Sequence, residues 1–250
     1  MTKSFASIVI TGASSGIGEA LALDYAKPGV ALALSGRDAG RLKAVAEACR
    51  AKGATVDDAA IDVTDSAALA TWLTRFDEAH PVELLIANAG ISIDNGNSSL
   101  DDFSRLRRTM AVNVDGLFNT VEPLVGRMMQ RRRGQIAIVS SLAGFFGLPY
   151  SASYNASKAA VRVWGESIRY VLKRHGVGVS VVCPGFVSTR INANPAFKMP
   201  FLMTAARAAT IIQRGLAANK ARIAFPIPIK AAVWLGCVLP GSWTARLLGA

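Results

Sequence analysis

The stretch YNASK places a phenol, Tyr154, and an ammonium, Lys158, four residues apart. The flanking sequence, LPYSASYNASKAAVRVWGESIRYVLKRHG, spaces its apolar residues as a helix does and stops at His175-Gly176, which predicts that both groups share one helix face, one turn apart. Such a pair can lie idle on a surface, as exposed helix pairs often do. It can also move a proton. A free phenol, with a pKa of about 10, is a sluggish donor at neutral pH, and a cation beside it favours the phenolate.

A second stretch, TGASSGIGEA from Thr11 to Ala20, follows the first apolar run and leads into a helix. Gly12, Gly16 and Gly18 are spaced GxxxGxG, a variant of the dinucleotide fingerprint, with Ser14, Ser15 and Ile17 between them. Glycines at a strand-to-helix turn permit tight backbone geometry and close approach of a pyrophosphate, and the helix start offers unpaired N–H groups. About twenty residues on, in ALALSGRD, Gly36 occupies the place where an acid for the ribose 2′-hydroxyl is expected, and Arg37 follows directly. A guanidinium suits a 2′-phosphate, so NADP (NADPH) is expected ahead of NAD. Asp62 in IDV, read as the end of the third strand with Val63 after it, is a candidate acceptor for the adenine amino group.

Short apolar runs alternate with amphipathic stretches along most of the chain: ASIVI, VALALS, TVDDAAID, VELLIANAG, GQIAIVSS and VGVSVVCPG, with helical patterns between them. Apolar runs without polar alternation suit a parallel sheet covered on both faces, and the alternation of elements predicts a Rossmann-type doubly wound α/β fold of about seven strands in three layers. One long helical region is expected over roughly residues 100–131. Residues 1–250 are read as a single dinucleotide-binding and catalytic domain. Residues 186–203, with two prolines and a cluster of Phe and Met, are read as a substrate lid. Helical spacing resumes over 204–219, RIAF is a candidate final strand, and residues 226–250 form an apolar extension broken by Pro and Gly.

With 250 residues and 51% hydrophobic content, the chain can bury a sizeable core. Cys49, Cys183 and Cys237 form no CxxC or Cys/His cluster, so no zinc site or disulfide framework is expected, and a reducing, cytoplasmic setting fits. The N-terminus lacks a secretory pattern. The net charge of +11 suits an anionic partner without choosing one. The run RMMQRRRGQ reads as a solvated helix end, and no recognition helix or aromatic-interleaved basic strand supports nucleic-acid binding. His80 and His175 lack an acid or cysteine neighbour, no GxSxG elbow is present, and no metal site is expected.

Taken in order, TGASSGIG at Thr11, NAG at Asn88, NVDG at Asn113, the pair Ser140-Ser141, YNASK at Tyr154 and PGFVST at Pro184 resemble the short-chain dehydrogenases/reductases, over residues 5 to about 190. ANAG, with Ala87, replaces the commoner doubled asparagine. The resemblance implies interconversion of a ketone or aldehyde and an alcohol by hydride transfer, with Tyr154 as general acid/base. Lys158 would tune Tyr154 and hold the nicotinamide ribose, Ser141 would orient the substrate carbonyl, and Asn113 would hold a water linking Lys158 to solvent. Asn88, Ala89, Gly90, Val63, Pro184, Gly185, Val187 and Thr189 would line the cofactor with the glycine turn. It also implies a homodimer or homotetramer, paired through helices around residues 111–131 and 152–174.

Phe145, Phe146, Leu148, Phe186, Phe197, Met199, Phe201, Leu202 and Met203 are expected to form an apolar substrate wall and lid. Two other readings stand beside the reductase. One is a non-catalytic nucleotide-binding regulator, which would be free to lose Tyr154, Lys158 or Ser141. The other adds a peripheral membrane contact through Trp234, Leu235, Val238, Leu239, Trp243, Leu247 and Leu248, with a lipid-derived ketone as substrate. The tail's apolar runs are too short to cross a bilayer.

Overall fold

A computed structural model describes residues 4–93, 103–148, 151–189 and 199–239. The chain runs β1 (Ser7–Thr11), α1 (Gly16–Tyr25), β2 (Ala31–Ser35), α2 (Ala39–Ala51), β3 (Thr55–Ala59), α3 (Ser66–Ala79), β4 (Leu84–Ala87) and α4 (Phe103–Met110). It continues through α5 (Gly116–Arg131), β5 (Gly134–Val139), α6 (Ala152–Lys173), β6 (Val177–Pro184), β7 (Val187–Ser188), β8 (Met203–Thr204), α7 (Ala205–Ala217), β9 (Arg222–Phe225) and α8 (Ile227–Val238). Seven strands form one sheet in the order β3-β2-β1-β4-β5-β6-β9, and every neighbouring pair is parallel. The strand order reverses between β1 and β4, and at such a switch point the carboxyl ends of the strands part into a crevice.

The apolar strands are unbroken because both faces of the sheet are covered. Ile8 and Ile10 of β1 pack with Leu21, Leu42, Val45, Ile212 and Leu216 of α1, α2 and α7. Val9 between them faces the other way, into a core with Leu69, Leu73, Leu117, Leu124 and Val161 of α3, α5 and α6. Full burial of each such aliphatic side chain is worth roughly 1.5–3 kcal/mol, so a charge at any of these strand positions would be costly on either face. The edge strand β3, TVDDA, departs from this pattern. Its Asp57 and Asp58 pair with Arg75 at 2.9 Å and Arg50 at 2.5 Å.

Several boundaries differ from the sequence reading. β3 ends at Ala59, so Ile61, Asp62 and Val63 lie in the following turn rather than in the strand. The long helix before β5 is interrupted by one π-helical turn, Ala111–Asp115, between α4 and α5. Of the tail expected to be broken by Pro and Gly, the described part forms a helix, α8, with Pro226 at its N-cap and Pro228 in its first turn, where the missing N–H costs nothing. The expected lid falls mostly outside the described residues; its two ends pair, β7 with β8.

The basic run in α5 is not simply a solvated end. Arg131 grips the buried Asp77 of α3 through two bonds of 2.7 Å, and Arg127 reaches Glu78 at 3.1 Å. A carboxylate buried in that way would cost roughly 3–5 kcal/mol if its partner were removed.

Candidate active site

The crevice above β1 and β4 is a cleft of about 660 Å³ running from Arg37 and Arg41, past the glycine turn, to Ser141, Tyr154 and Lys158. Its first wall is the turn after β1. Gly12 and Gly16 both adopt the left-handed region, at φ 69° and 62°. Asn88, just past β4, locks the turn: its Nδ2 donates to the carbonyls of Thr11 (3.0 Å) and Gly12 (3.2 Å). The Thr11 hydroxyl accepts from the N–H groups of Asn88 and Ala89 in return. Gly18 serves packing rather than the cleft, since a Cβ there would sit 2.2 Å from the Gly12 carbonyl oxygen.

Helices α2, α3 and α7 begin under side-chain caps from Asp38, Asp65 and Thr204, whereas Ser15 at the head of α1 caps nothing. The first N–H groups of α1 therefore lack a side-chain partner where Ser15, Gly16 and Ile17 line the cleft. Uncapped donors at a positive helix end are what a pyrophosphate needs. The residues present thus fit a dinucleotide.

At the far end of this wall, Arg37 lies 3.9 Å from Asp62 and Arg41 lies 2.6 Å from Asp38. Asp62 itself does not line the cleft; Ile61 and Val63 on either side of it do. Its Oδ1 accepts from the backbone and hydroxyl of Thr64, holding the turn after β3. Gly36, read in the sequence only as a missing acid, has a positive role: a Cβ there would come within 2.9 Å of the Ser14 hydroxyl. Arg41 and Ser14 are thereby brought to the same end of the cleft.

The opposite end is built by α6 and by the ends of β4, β5 and β6. Tyr154 and Lys158 share the cleft, and the Lys158 ammonium lies 5.7 Å from the Tyr154 ring centroid. Lys158 is buried and donates to the Val139 carbonyl at 2.9 Å. The Ser140 hydroxyl donates to the Lys158 carbonyl at 2.7 Å, tying the end of β5 to α6. Ser141, also buried, is hydrogen-bonded to the Tyr154 phenol and lies 3.4 Å from the Pro184 carbonyl. Pro184, Gly185, Val187 and Thr189 complete this wall, with Ala89, Gly90 and Ile91 opposite.

Asn113 stands in the π turn, buried beneath this wall rather than in it. Its side-chain amide pairs with the backbone of Ile91 in both directions, at 2.8 and 2.9 Å, and donates to the Ser157 hydroxyl at 2.9 Å. The π turn aims that amide across the sheet end, joining the loop after β4 to α6. Gly90 is needed for this approach, since a Cβ there would meet both Asn113 Oδ1 and Lys158 Nζ at 3.2 Å.

Burial changes the electrostatics expected from the sequence. Desolvation raises the Tyr154 pKa above its ordinary value, and the Ser141 bond pulls it down. Desolvation also lowers Lys158 to about 8, with the nearby Cys183 acting weakly the other way. Burial thus pushes both groups toward neutrality. The Cys183 thiol is pushed up to about 12 by burial and stays protonated.

The other sequence candidates lie apart. Phe145 has the guanidinium groups of Arg162 and Arg222 over its ring, at 4.4 and 5.1 Å, Phe146 lies near Gly236 of α8, and neither lines the cleft. His80 lies against Phe76, its ring tilted 45° to the phenyl. Among the described residues no group of three or more His, Cys, Asp and Glu side chains is placed to hold a metal. Ser140, Gly36, Arg41 and Ile91 also line the cleft, beyond the site residues expected from the sequence. Arg41, a second arginine in the first turn after the strand end, carried a readable signal, and the others did not.

Comparison with known proteins places this geometry. The sequence pattern of the short chain dehydrogenases matches residues 6–198. The chain belongs to the short-chain dehydrogenase family. Within that family of oxidoreductases it is 36% identical over 238 residues to an uncharacterized oxidoreductase of Myxococcus xanthus, covering 95% of this chain and 94% of that one. A short-chain dehydrogenase from Sphingobium yanoikuyae, solved in complex with NADPH, superposes with a TM-score of 0.81 at 26% identity, over 94% of this chain and 97% of that one. One from Burkholderia phymatum, solved in complex with NAD, gives a TM-score of 0.81 at 28% identity, over 94% of each chain.

Proposed function

We propose that this short-chain dehydrogenase is an NADP(H)-dependent oxidoreductase that interconverts a ketone or aldehyde with an alcohol. The observation that carries the reading is the hydrogen-bonded pair Tyr154–Ser141 beside the buried Lys158 ammonium, at one end of a cleft whose other end is an uncapped helix start and a glycine turn. Gly12, Ser14, Ser15, Gly16 and Ile17 would hold the pyrophosphate, and Asn88, Ala89, Gly90, Val63, Pro184, Gly185, Val187 and Thr189 would border the rest. When bound, the nicotinamide supplies or takes the hydride.

The protein's own residues manage the proton. Ser141 positions the substrate oxygen against the Tyr154 hydroxyl, and Tyr154 hands its proton to that oxygen as charge develops there. A hydroxyl carries one hydrogen. With Tyr154 neutral, the Ser141 hydrogen is free to point at the Pro184 carbonyl; once the phenol ionises, turning it toward the phenolate stabilises the new charge. Lys158 stabilises the same phenolate. Asn113 positions the loop and helix around Lys158, and a water held there would return the proton from solvent.

Arg37 and Arg41 support NADP over NAD. Each is exposed enough to reorient and is tied to a single carboxylate, Asp62 at 3.9 Å and Asp38 at 2.6 Å, so a 2′-phosphate would meet two guanidiniums without an acid at position 36. Exposed Phe201 and Leu202 support an apolar substrate. Following NADPH and NADH consumption against a panel of aliphatic and aromatic ketones and aldehydes tests the reading: turnover with NADPH ahead of NADH is expected, and a clear preference for NADH would overturn the role given to Arg37.

A further inference from the structure

We infer that α8 is a docking surface for a lipid bilayer bearing anionic headgroups, seated at the mouth of the cleft. Helix α8, IPIKAAVWLGCV, has one charged residue, Lys230, and buries only Val233. Ile227 is 78% exposed, Trp234 67%, Leu235 50% and Val238 60%. A surface helix in water normally turns a polar face outward, and this one turns an apolar face outward. Its other side is apolar as well, with Gly236 against Phe146 and the Cys237 thiol on the Phe145 carbonyl.

A second exposed apolar feature precedes β8. Phe201 is 61% exposed and Leu202 54%, and Phe201 holds φ 55°, a region that bulky residues adopt at a cost. Both features converge on one point of the chain. The Gly185 N–H donates to the Phe225 carbonyl (2.7 Å), where α8 begins, and the Met203 N–H donates to the Phe186 carbonyl (3.0 Å). Gly185 itself lines the cleft. The apolar surface therefore flanks the entrance through which an apolar substrate would pass.

Charge selects the occupant. All 17 acidic residues lie at or before Glu166, while 11 of the 28 cations follow it, so the last third of the chain carries the whole net charge of +11. The last acid, Glu166, is itself neutralised by Arg162 at 3.1 Å and Arg222 at 2.6 Å. With Lys230 as its one charge and no acid on it, α8 attracts an anionic headgroup layer and offers a second copy of itself no acid to pair with. Twelve residues of helix span about 18 Å, short of a hydrocarbon core of about 30 Å, so α8 lies in the interface and does not cross. No helix among the described residues is long and apolar enough to cross. Trp234 suits that depth, with an apolar body and one N–H.

The test is flotation of the full chain with vesicles of phosphatidylcholine alone and of phosphatidylcholine with phosphatidylglycerol, at low and raised salt. Binding to the phosphatidylglycerol vesicles, weakened by salt, is expected. The paired change Trp234→Ser with Leu235→Ser should lower the partition coefficient about tenfold or more, and Lys230→Glu should weaken only the anionic binding. Circular dichroism and cooperative thermal unfolding verify folding, and the single-charge variant keeps the test decisive if the paired variant misfolds. The proposal is overturned if the wild type floats with neither vesicle, or if the serine pair floats as well as the wild type. It is also overturned if only a chain ending at Leu239 binds, since its own tail then covers α8, or if the serine changes dissolve a dimer that never binds vesicles. None of these readouts depends on turnover, so the docking surface and the reductase stand or fall separately.

Discussion

Replacing Lys158 with Met separates what the site costs from what it does. Lys158 is 4% exposed, and burial brings its pKa from 10.5 down to about 8. Because the folded value lies below the unfolded one, the unfolded chain binds more protons between these limits, and stability rises with pH from about 8 to about 10.5. Below pH 8 the charged side chain therefore destabilises the fold by on the order of 3 kcal/mol relative to its neutral form. Met removes that cost and also removes the donor to Val139, worth about 1 kcal/mol. The variant should be more stable than the wild type by about 2 kcal/mol at pH 7, and the difference should fall through zero to about 1 kcal/mol of destabilisation near pH 10.5. Urea denaturation of both proteins across that range measures it. A variant less stable than the wild type at every pH, by a constant amount, would refute the claim that burial strains this ammonium.

The remaining expectations concern support and specificity. Asn113→Ala removes three hydrogen bonds that join the loop after β4 to α6, and should destabilise the protein by about 2–4 kcal/mol in the same denaturation assay; a loss under about 0.5 kcal/mol would show that the amide is not a clamp. Arg37→Glu replaces a charge-assisted partner with a repulsive one, and should lower kcat/KM for NADPH about tenfold to a hundredfold while sparing NADH. Equal losses with both would move Arg37 out of cofactor selection.

Much of this was legible in the sequence because it is carried by backbone pattern. The short apolar runs ASIVI, VALALS and VELLIANAG suit parallel strands covered on both faces, and the glycine turn announces where the first crossover begins. The four-residue spacing of Tyr154 and Lys158 fixed their shared face once α6 was a helix. What escaped depends on distance across the fold. The π turn at Asn113 leaves no propensity signature, and the partners it aims Asn113 at, Ile91 and Ser157, lie far off in sequence. Gly36 is small because of Ser14, more than twenty residues earlier, and Arg131 is bound by Asp77 of another helix. Phe145 reads as a pocket wall in sequence, yet two arginines that no local pattern links to it draw it aside. The desolvation that opposes the helical pairing of Tyr154 and Lys158 is likewise a property of the assembled core.

The proposed proton transfer from Tyr154 is tested most directly by Tyr154→Phe in a single-turnover experiment. With NADPH bound beforehand and its binding followed by fluorescence, the variant should bind as the wild type does and reduce the carbonyl about a hundredfold to ten-thousandfold more slowly. Unchanged reduction by the phenylalanine variant would contradict the account, because the site would then deliver its proton from somewhere else.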